Sequence, residues 1–461
     1  MTDKAKGTSS SSRAQRPDSD AFKRFITEQW GGDERAPIAR AAAAPFAAVR
    51  RARLSAAFPG VRIVAPAGDL LPRSNDTDYR FRPHSDFAYL TGLGADHEPG
   101  AVLVMEPTAD GHEATLYLNP PAGRDGEGFS SDPRLGEFWI GKRPGLAEFA
   151  AMTGIPARPL ADLPPGIRLA SQPSRAVART LAMMRMTKDA FEVDQVRSAV
   201  AATITGFERV VGELPRAIEH KRGERVIEAT FDGHAREEGN AVGYETIAAS
   251  GPHATTLHWI SNDGQVHDGD LLLLDAGVEV ETLYTADITR TLPVGGRFTD
   301  VQRRVYDVVL EAADAAFAVA GPGSTLREIH RAAMGVIERR LTEWGIVPES
   351  DDPDAALYRR WMVHSTSHHL GLDVHDCAEA RRTAYLDGRL EPGMIFTIEP
   401  GLYFKEDDLA VPQELRGIGI RIEDDVLVTD DGVENLSRAL PRGADDVERW
   451  MAALRRRQPR R

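Results

Sequence analysis

Two short segments constrain this chain more than any other part of it. Residues 269–277 read GDLLLLDAG and residues 393–401 read GMIFTIEPG, at a constant offset of 124. Each runs from a glycine through an apolar stretch to one acidic residue, a spacer and a second glycine. Apolar runs of this length between turn signals read as buried strands, so each segment carries a carboxylate, Asp275 or Glu399, to the end of a buried strand. Desolvating a lone carboxylate costs several kcal/mol, so it must be paired, hydrogen-bonded or metal-bound. For one such residue, a strand cap facing solvent is the ordinary explanation. Two further carboxylates repeat the situation. Asp287 opens DITRT, where alternation puts Asp287, Thr289 and Thr291 on one face. Glu423 closes IGIRIE, where the isoleucines share one face and Arg421 and Glu423 the other.

The histidines lead to the same place. Four of the thirteen fall within twelve residues: His364, His368, His369 and His375 in VHSTSHHLGLDVHD. Imidazole is the commonest nitrogen ligand for metals and a general acid or base near neutral pH. His84, His97, His112, His220 and His330 stand apart and read as surface or core residues, and His267 as a turn residue. Carboxylates with an imidazole and no thiolate make a hard, oxygen-rich donor set, which suits Mn2+ or a similar hydrolytic metal better than structural zinc. Two ions bridged by carboxylates hold an activated water between them.

The rest of the composition narrows the context. A length of 461 residues exceeds one ordinary core and implies two domains or one of unusual size. A formal charge of −14 disfavours a nucleic-acid partner, whose phosphates need a basic face. The single cysteine, Cys377, excludes an intrachain disulfide and a Cys-rich zinc module. No apolar run approaches the ~20 residues that span a bilayer. The opening residues lack the apolar core of a secretory signal. A cytoplasmic location without a membrane partner is expected.

Along the chain, residues 1–20 are polar and Ser-rich and read as a disordered arm. Residues 20–53 read as helix, residues 61–65, 101–105 and 114–118 as strands, and 146–153 as helix. The Pro-rich stretch 156–173 reads as a linker. A long helix is expected from Thr187 as N-cap to about Val211, and a second from Glu219 to Glu238 with Gly239 ending it. Helices at 301–319 and 325–344 alternate with strands at 271–274, 287–292, 394–398 and 418–422, so the fold class is α/β (α+β). Residues 446–461, ending in an Arg-rich run, read as a solvated basic tail.

The motifs LLLLDAG, TADITRT, TSHHLGLDVHD, TIEPGLY and GIRIEDD occur in the order seen in the pita-bread metallopeptidases. With RSNDTDYRFRPHSDFAYLTG at 73–92, the chain resembles the aminopeptidase P group of that family. The resemblance implies a pita-bread catalytic domain at 182–445 and a smaller creatinase-like N-terminal α/β domain at 21–175. It implies Asp275, Asp287, His368, Glu399 and Glu423 as ligands of two divalent ions, expected to be Mn2+, with Asp287 and Glu423 bridging. By the same likeness His258 contacts the scissile peptide, His375 steadies the developing oxyanion, and Glu399 doubles as proton shuttle. His364, Tyr403 and Arg421 match a proline pocket, and Tyr244 and Asp76 match substrate-side positions. Homo-oligomers, dimers or tetramers, are common in such a family. One departure is that Asp275 and Asp287 lie 12 residues apart, one more than the family pattern, with the extra residue expected in the turn at 280–283.

The implied activity is removal of the first residue from peptides whose second residue is proline. Prolidase, restricted to Xaa-Pro dipeptides, shares all five ligands and is the nearest rival. Methionine aminopeptidases lack the creatinase-like domain, and creatinase lacks the metal ligands. A pita-bread domain reduced to peptide binding is expected to have lost ligands, whereas all five are present here.

Overall fold

The computed structural model of the protein describes residues 17, 19–31, 38–95, 97–124, 126, 128–167, 172–352 and 354–457. Residues 1–16 and 18, most of the expected arm, lie outside these. Helices and strands are interleaved throughout, as the α/β reading requires.

A four-stranded sheet organises the N-terminal part, in the order Ile63–Pro66, Val102–Thr108, Gly111–Leu118, Ala157–Pro159. The first three strands run antiparallel and the last joins in parallel. Strand alternation gives this sheet two apolar faces. Leu103, Met105, Leu116 and Leu118 join the main core, while Val102, Val104 and Tyr117 pack against Leu160, Leu163 and Ile167. The stretch 156–173 is therefore not a bare linker. Its first residues form a sheet edge, where a proline deletes no ladder hydrogen bond. Residues 168–171 of it lie outside those described. The helix expected at 20–53 is two pieces, Asp20–Phe25 and Ala44–Ala57. Gly31, Gly32 and Pro37 fall between them, and these are the poorest helix formers.

The C-terminal part contains two three-stranded antiparallel sheets. One places Leu271–Ala276 between Ile247–Ser250 and Ile288–Pro293, the other Asp424–Val428 between Ile395–Ile398 and Val433–Asn435. A two-stranded pair, Gly401–Tyr403 with Gly419–Arg421, carries the chain between the expected site residues. Helices Ala190–Glu219 and Gly223–Glu238 pack as one pair, and Asp300–Val319 and Leu326–Glu343 as another. The long helix is capped by Asp189 rather than Thr187. The Asp189 carboxylate accepts from the Glu192 N–H at 3.1 Å while Glu192 accepts from the Asp189 N–H at 3.0 Å, a reciprocal box that Thr187 could not form. That helix also continues through Pro215 to Glu219. Burial of Val210, Val211, Leu214 and Ala217 outweighs the proline penalty of about 3 kcal/mol. Residues 458–461 of the expected basic tail lie outside the described residues, and residues 446–457 belong to a helix, Ala444–Arg457. Ala444, Val447 and Met451 form a buried stripe at helical spacing beneath its charged residues.

One buried ion pair ties the two sheets together behind the expected ligands. Arg290 and Asp424 are both fully buried, 2.7 Å apart. The guanidinium also donates to the carbonyls of Glu423 at 2.6 Å, Thr289 at 2.9 Å, and Leu440 and Pro441 at 3.0 Å. Removing Arg290 leaves the buried Asp424 with only Arg442, 3.4 Å from its other oxygen, as a cation partner, and a buried charge short of compensation is destabilising. Arg290→Met is expected to cost about 3 kcal/mol of stability, read as a lower urea midpoint. An unchanged midpoint would mean the pair contributes nothing.

Candidate active site

The four carboxylates reach one place because the strands deliver them. Asp275 lies in Leu271–Ala276, opposite Thr289 of the next strand. Pairing runs without interruption from Ala276↔Ile288 to Leu271↔Pro293, so Asp287 sits at the same end. Between them lies the turn at 280–283. Val280 and Leu283 close a turn, Leu283 N–H donating to the Val280 carbonyl at 2.8 Å, and Leu283 adopts φ +72° while fully buried. A branched side chain in that left-handed region is strained, and the buried packing of Leu283 holds it there. Glu399 follows the Ile395–Ile398 strand, and its N–H donates to the Thr366 carbonyl at 3.0 Å. The Glu423 N–H donates to the Thr289 carbonyl at 3.0 Å, stitching that segment to the Asp287 strand.

The resulting cleft has a volume of about 520 Å³, and Asp275, Asp287, Glu399 and Glu423 line it together with Tyr244, His258, His364, His368, His375 and Arg421. Ligand atoms of Asp287, His368 and Glu423 lie within 4.8 Å of one another. Asp275 is partnered instead by Arg421, whose Nη2 donates to it, and by Tyr244, whose hydroxyl lies 2.6 Å from Asp275 and 2.5 Å from Asp287. One phenolic proton thus serves two carboxylates. Tyr403 stands behind the cleft wall, its hydroxyl 3.0 Å from Arg421 Nη1 and 2.8 Å from His364 Nε2. Asp76 is not part of this gathering. It lies in the exposed turn between Pro72–Ser74 and Thr77–Asp78 of the N-terminal part.

The donor set fits divalent cations. Burial, with the neighbouring carboxylates, pushes Glu423 far above the usual range and Asp275 upward, although Arg421 opposes both shifts. Burial raises Glu399 to about 7 against the pull of His368. His368 is informative in detail. Its Nδ1 lies 3.1 Å from the His369 carbonyl, which can only accept, so Nδ1 carries a proton. Its Nε2 then faces Asp287 at 3.3 Å and Glu399 at 3.5 Å. A lone pair held against two carboxylates is stable only with a proton or a metal cation between them. With no metal bound, burial disfavours the His368 cation, yet Asp287 and Glu399 drive its pKa up to about 9. His369 does not enter the cleft: it is fully buried, and burial lowers it to about 3.

Several residues that position the site were given no role from sequence. Thr289 donates to Glu423 at 2.6 Å and accepts from Arg421 Nε at 3.1 Å. Asp425 accepts the Asp287 N–H at 3.1 Å. Glu224, fully buried, accepts from Ser250 N–H, His253, Trp259 and Gly264 N–H, at 2.7 to 2.9 Å. It thereby anchors both ends of the loop that carries His258. Asp425 was visible in GIRIEDD as the residue after the Glu423–Asp424 pair. Glu224 gave no sequence signal.

Comparison with known proteins agrees with this geometry. Residues 194–430 match the model of Metallopeptidase family M24, and residues 47–177 that of the Aminopeptidase P, N-terminal domain. The chain is 49% identical to Xaa-Pro aminopeptidase 1 of Streptomyces coelicolor, over 95% of this chain and 93% of the relative. It is 31% identical to the Xaa-Pro aminopeptidase of Escherichia coli, over 88% of this chain and 97% of that one. Among solved structures, the aminopeptidase of Pseudomonas aeruginosa is similar at a TM-score of 0.75 and 31% identity, covering 89% of this chain and 98% of that one. Escherichia coli aminopeptidase P with the inhibitor Pro-Leu gives a TM-score of 0.76 at 29% identity, covering 90% and 100%.

Proposed function

The chain belongs to metallopeptidase family M24 and carries the aminopeptidase P N-terminal domain, and on that premise we propose that the cleft removes the first residue of peptides with proline second. The protein is a metalloaminopeptidase of the Xaa-Pro type. The observation that carries the assignment of roles is the convergence of Asp275, Asp287, Glu399 and Glu423 with four histidines on one cleft. Asp275, Asp287, His368, Glu399 and Glu423 would hold two divalent ions, which we take to be Mn2+ from the hard donor set. When bound, such ions supply a water ionised near neutral pH and polarise the carbonyl.

The chain's own groups do the rest. Glu399, at the end of the Ile395–Ile398 strand and lining the cleft, takes the proton of the attacking water and passes it to the proline nitrogen, a poor leaving group until protonated. His258 hydrogen-bonds the scissile peptide. His375 donates to the oxygen on which negative charge develops. His364 is held neutral, since burial and the Arg421 cation lower it to about 3. Its Nδ1 lies 2.7 Å from the Ser365 carbonyl, which leaves Nε2 to accept from Tyr403. A neutral imidazole beside the Tyr403 ring gives the pyrrolidine an uncharged wall. The domain bounds proposed remain 21–175 and 182–445, the latter extended by the Ala444–Arg457 helix. No helix among the described residues is long and apolar enough to cross a membrane. A cytoplasmic location and assembly into homo-oligomers complete the proposal, and sedimentation of the purified protein tests the second.

A substrate panel tests the reading. With Mn2+ added, Xaa-Pro-Xaa peptides are expected to be cleaved, and the same peptides with alanine second to react roughly 10- to 200-fold more slowly, the range a missing apolar contact supports. Cleavage of Xaa-Pro dipeptides alone would move the assignment to a prolidase. Equal rates with alanine would mean that His364, Tyr403 and Arg421 do not form a proline pocket.

A further inference from the structure

His375 stands on a segment that no helix or strand supports. Residues 371–377 are bends and turns, and they lie between the His369–Phe396 bridge and the next helix, Arg382–Asp387. The segment is fixed by side chains from elsewhere, and two of these belong to the N-terminal domain. Ser85 Oγ donates to Asp373 at 2.5 Å. Arg82 Nη2 donates to the Leu372 carbonyl at 2.6 Å, and its Nε pairs with Glu279 at 2.7 Å. From the connecting helix Arg175–Arg185, the buried Arg185 donates to Asp86 at 3.1 Å, to Asp373 at 2.5 Å, and to Asp376. Lys188, with a fully buried side chain, completes the set at 3.2 Å from Asp376. Asp373 and Asp376 flank His375 on both sides, and both are held by this network.

The packing leaves the segment little room to move. A Cβ on Gly371 would lie 2.2 Å from an Asp376 carboxylate oxygen and 3.0 Å from Lys188 Cε. The Gly371 carbonyl also accepts from Thr285 N–H at 3.0 Å, two residues before Asp287. Buried charge networks of this kind are costly unless every member is satisfied. Here the satisfaction depends on groups from three separate parts of the chain, which makes the geometry around His375 conditional on docking of the N-terminal domain.

We propose that Arg82 and Ser85 of the N-terminal domain, with Arg185 of the connecting helix, are positioning residues that hold segment 372–376 and thereby aim His375 at the reacting carbonyl. The N-terminal domain then contributes to the chemical step without touching substrate through these residues. The proposal rests on the role given to His375 above, and the test separates the two. Arg185 is unsuited to the test, because its loss leaves Asp86, Asp373 and Asp376 short of a buried cation. Ser85→Ala and Arg82→Gln are milder, the Arg82 side chain being about one-third exposed.

Both substitutions are made in the full chain, alone and combined with His375→Ala, with kcat, KM and bound metal measured for each. Each single variant is expected to lower kcat by about 5- to 20-fold, below the ~10²-fold that a 1 Å misplacement can cost, with KM within about twofold and metal content unchanged. In the His375→Ala background the same changes should alter kcat by less than about twofold, because the group they aim is already gone. A general loss of structure would lower turnover in both backgrounds alike. Parental kcat in the single variants, or full additivity with His375→Ala, overturns the proposal while leaving the role of His375 intact. Parental turnover in His375→Ala itself overturns both.

Discussion

Asp287→Asn and Glu423→Gln should each abolish nearly all turnover, by well over the ~10²-fold that losses in the shell around metal ligands cost, and leave the protein folded. Both amides keep the size of the side chain and remove its charge, and charge is what holds a hard divalent ion. The stability readout has an unusual sign. Glu423 is buried beside Asp287, Glu399 and Asp275, and that crowding pushes its carboxyl far above the usual range, with burial the first cause. A carboxyl held that far up must take up a proton on folding near pH 7 in the metal-free protein, a cost the amide variant does not carry. Its melting temperature in the presence of a chelator should therefore hold or rise, while the gain on adding Mn2+, which follows mass action on the native state, should shrink. Asp275→Asn should differ. Asp275 is the carboxylate partner of the buried Arg421, so its loss leaves a cation under-compensated and should lower the metal-free melting temperature as well. Elemental analysis beside the turnover assay checks all three. Parental activity with parental metal content in any one variant would remove that residue from the site.

The parts of this architecture that sequence made legible are those governed by short-range pattern. Leu271–Ala276 and Ile288–Pro293 were readable because an apolar run and a period of two survive without knowledge of neighbours, and Asp275 and Asp287 came with them. The helices expected at 301–319 and 325–344 are local in the same way, and the structure has them at Asp300–Val319 and Leu326–Glu343. What stayed hidden depends on distant chain. Glu224 sits on an amphipathic helix, where an acidic residue ordinarily faces water, and only the folding of residues 250–264 over it makes it a buried acceptor of four hydrogen bonds. Arg185 and Asp373 gave no sequence signal for the same reason, since their partners Asp86 and Ser85 lie about a hundred residues or more away in the N-terminal domain. In the last helix the error ran the other way. The arginines of 455–457 dominated the composition, while Val447 and Met451, one helical turn apart, settled where the segment goes. Asp76 marks a further limit: its motif is local, but its place on an exposed hairpin keeps it out of the cleft of its own chain.

His368→Ala and His375→Ala should fail in different ways although the two rings nearly touch, 4.6 Å between centroids and edge-on. His368 turns Nε2 toward Asp287 and Glu399, and its other nitrogen is fixed by the His369 carbonyl, the arrangement expected of a ligand whose tautomer is set by its second hydrogen bond. Its removal should be seen first as lost metal, before turnover is measured. His375 lies farther toward solvent, and burial together with the neighbouring His368 lowers its pKa, so that near pH 7 it is a neutral imidazole with one N–H to donate. A donor to a developing oxyanion acts mainly in the transition state, and losing one such donor typically costs ~10²–10³ in kcat. KM and bound metal should then stay near those of the parent. If both rings did no more than fill space, each substitution would lower the melting temperature and neither would separate kcat from metal content. A His375→Ala protein stripped of metal would make that residue a ligand, and one with parental turnover would leave the oxyanion to another donor, for which His258 is the remaining histidine in the cleft not assigned to metal or proline.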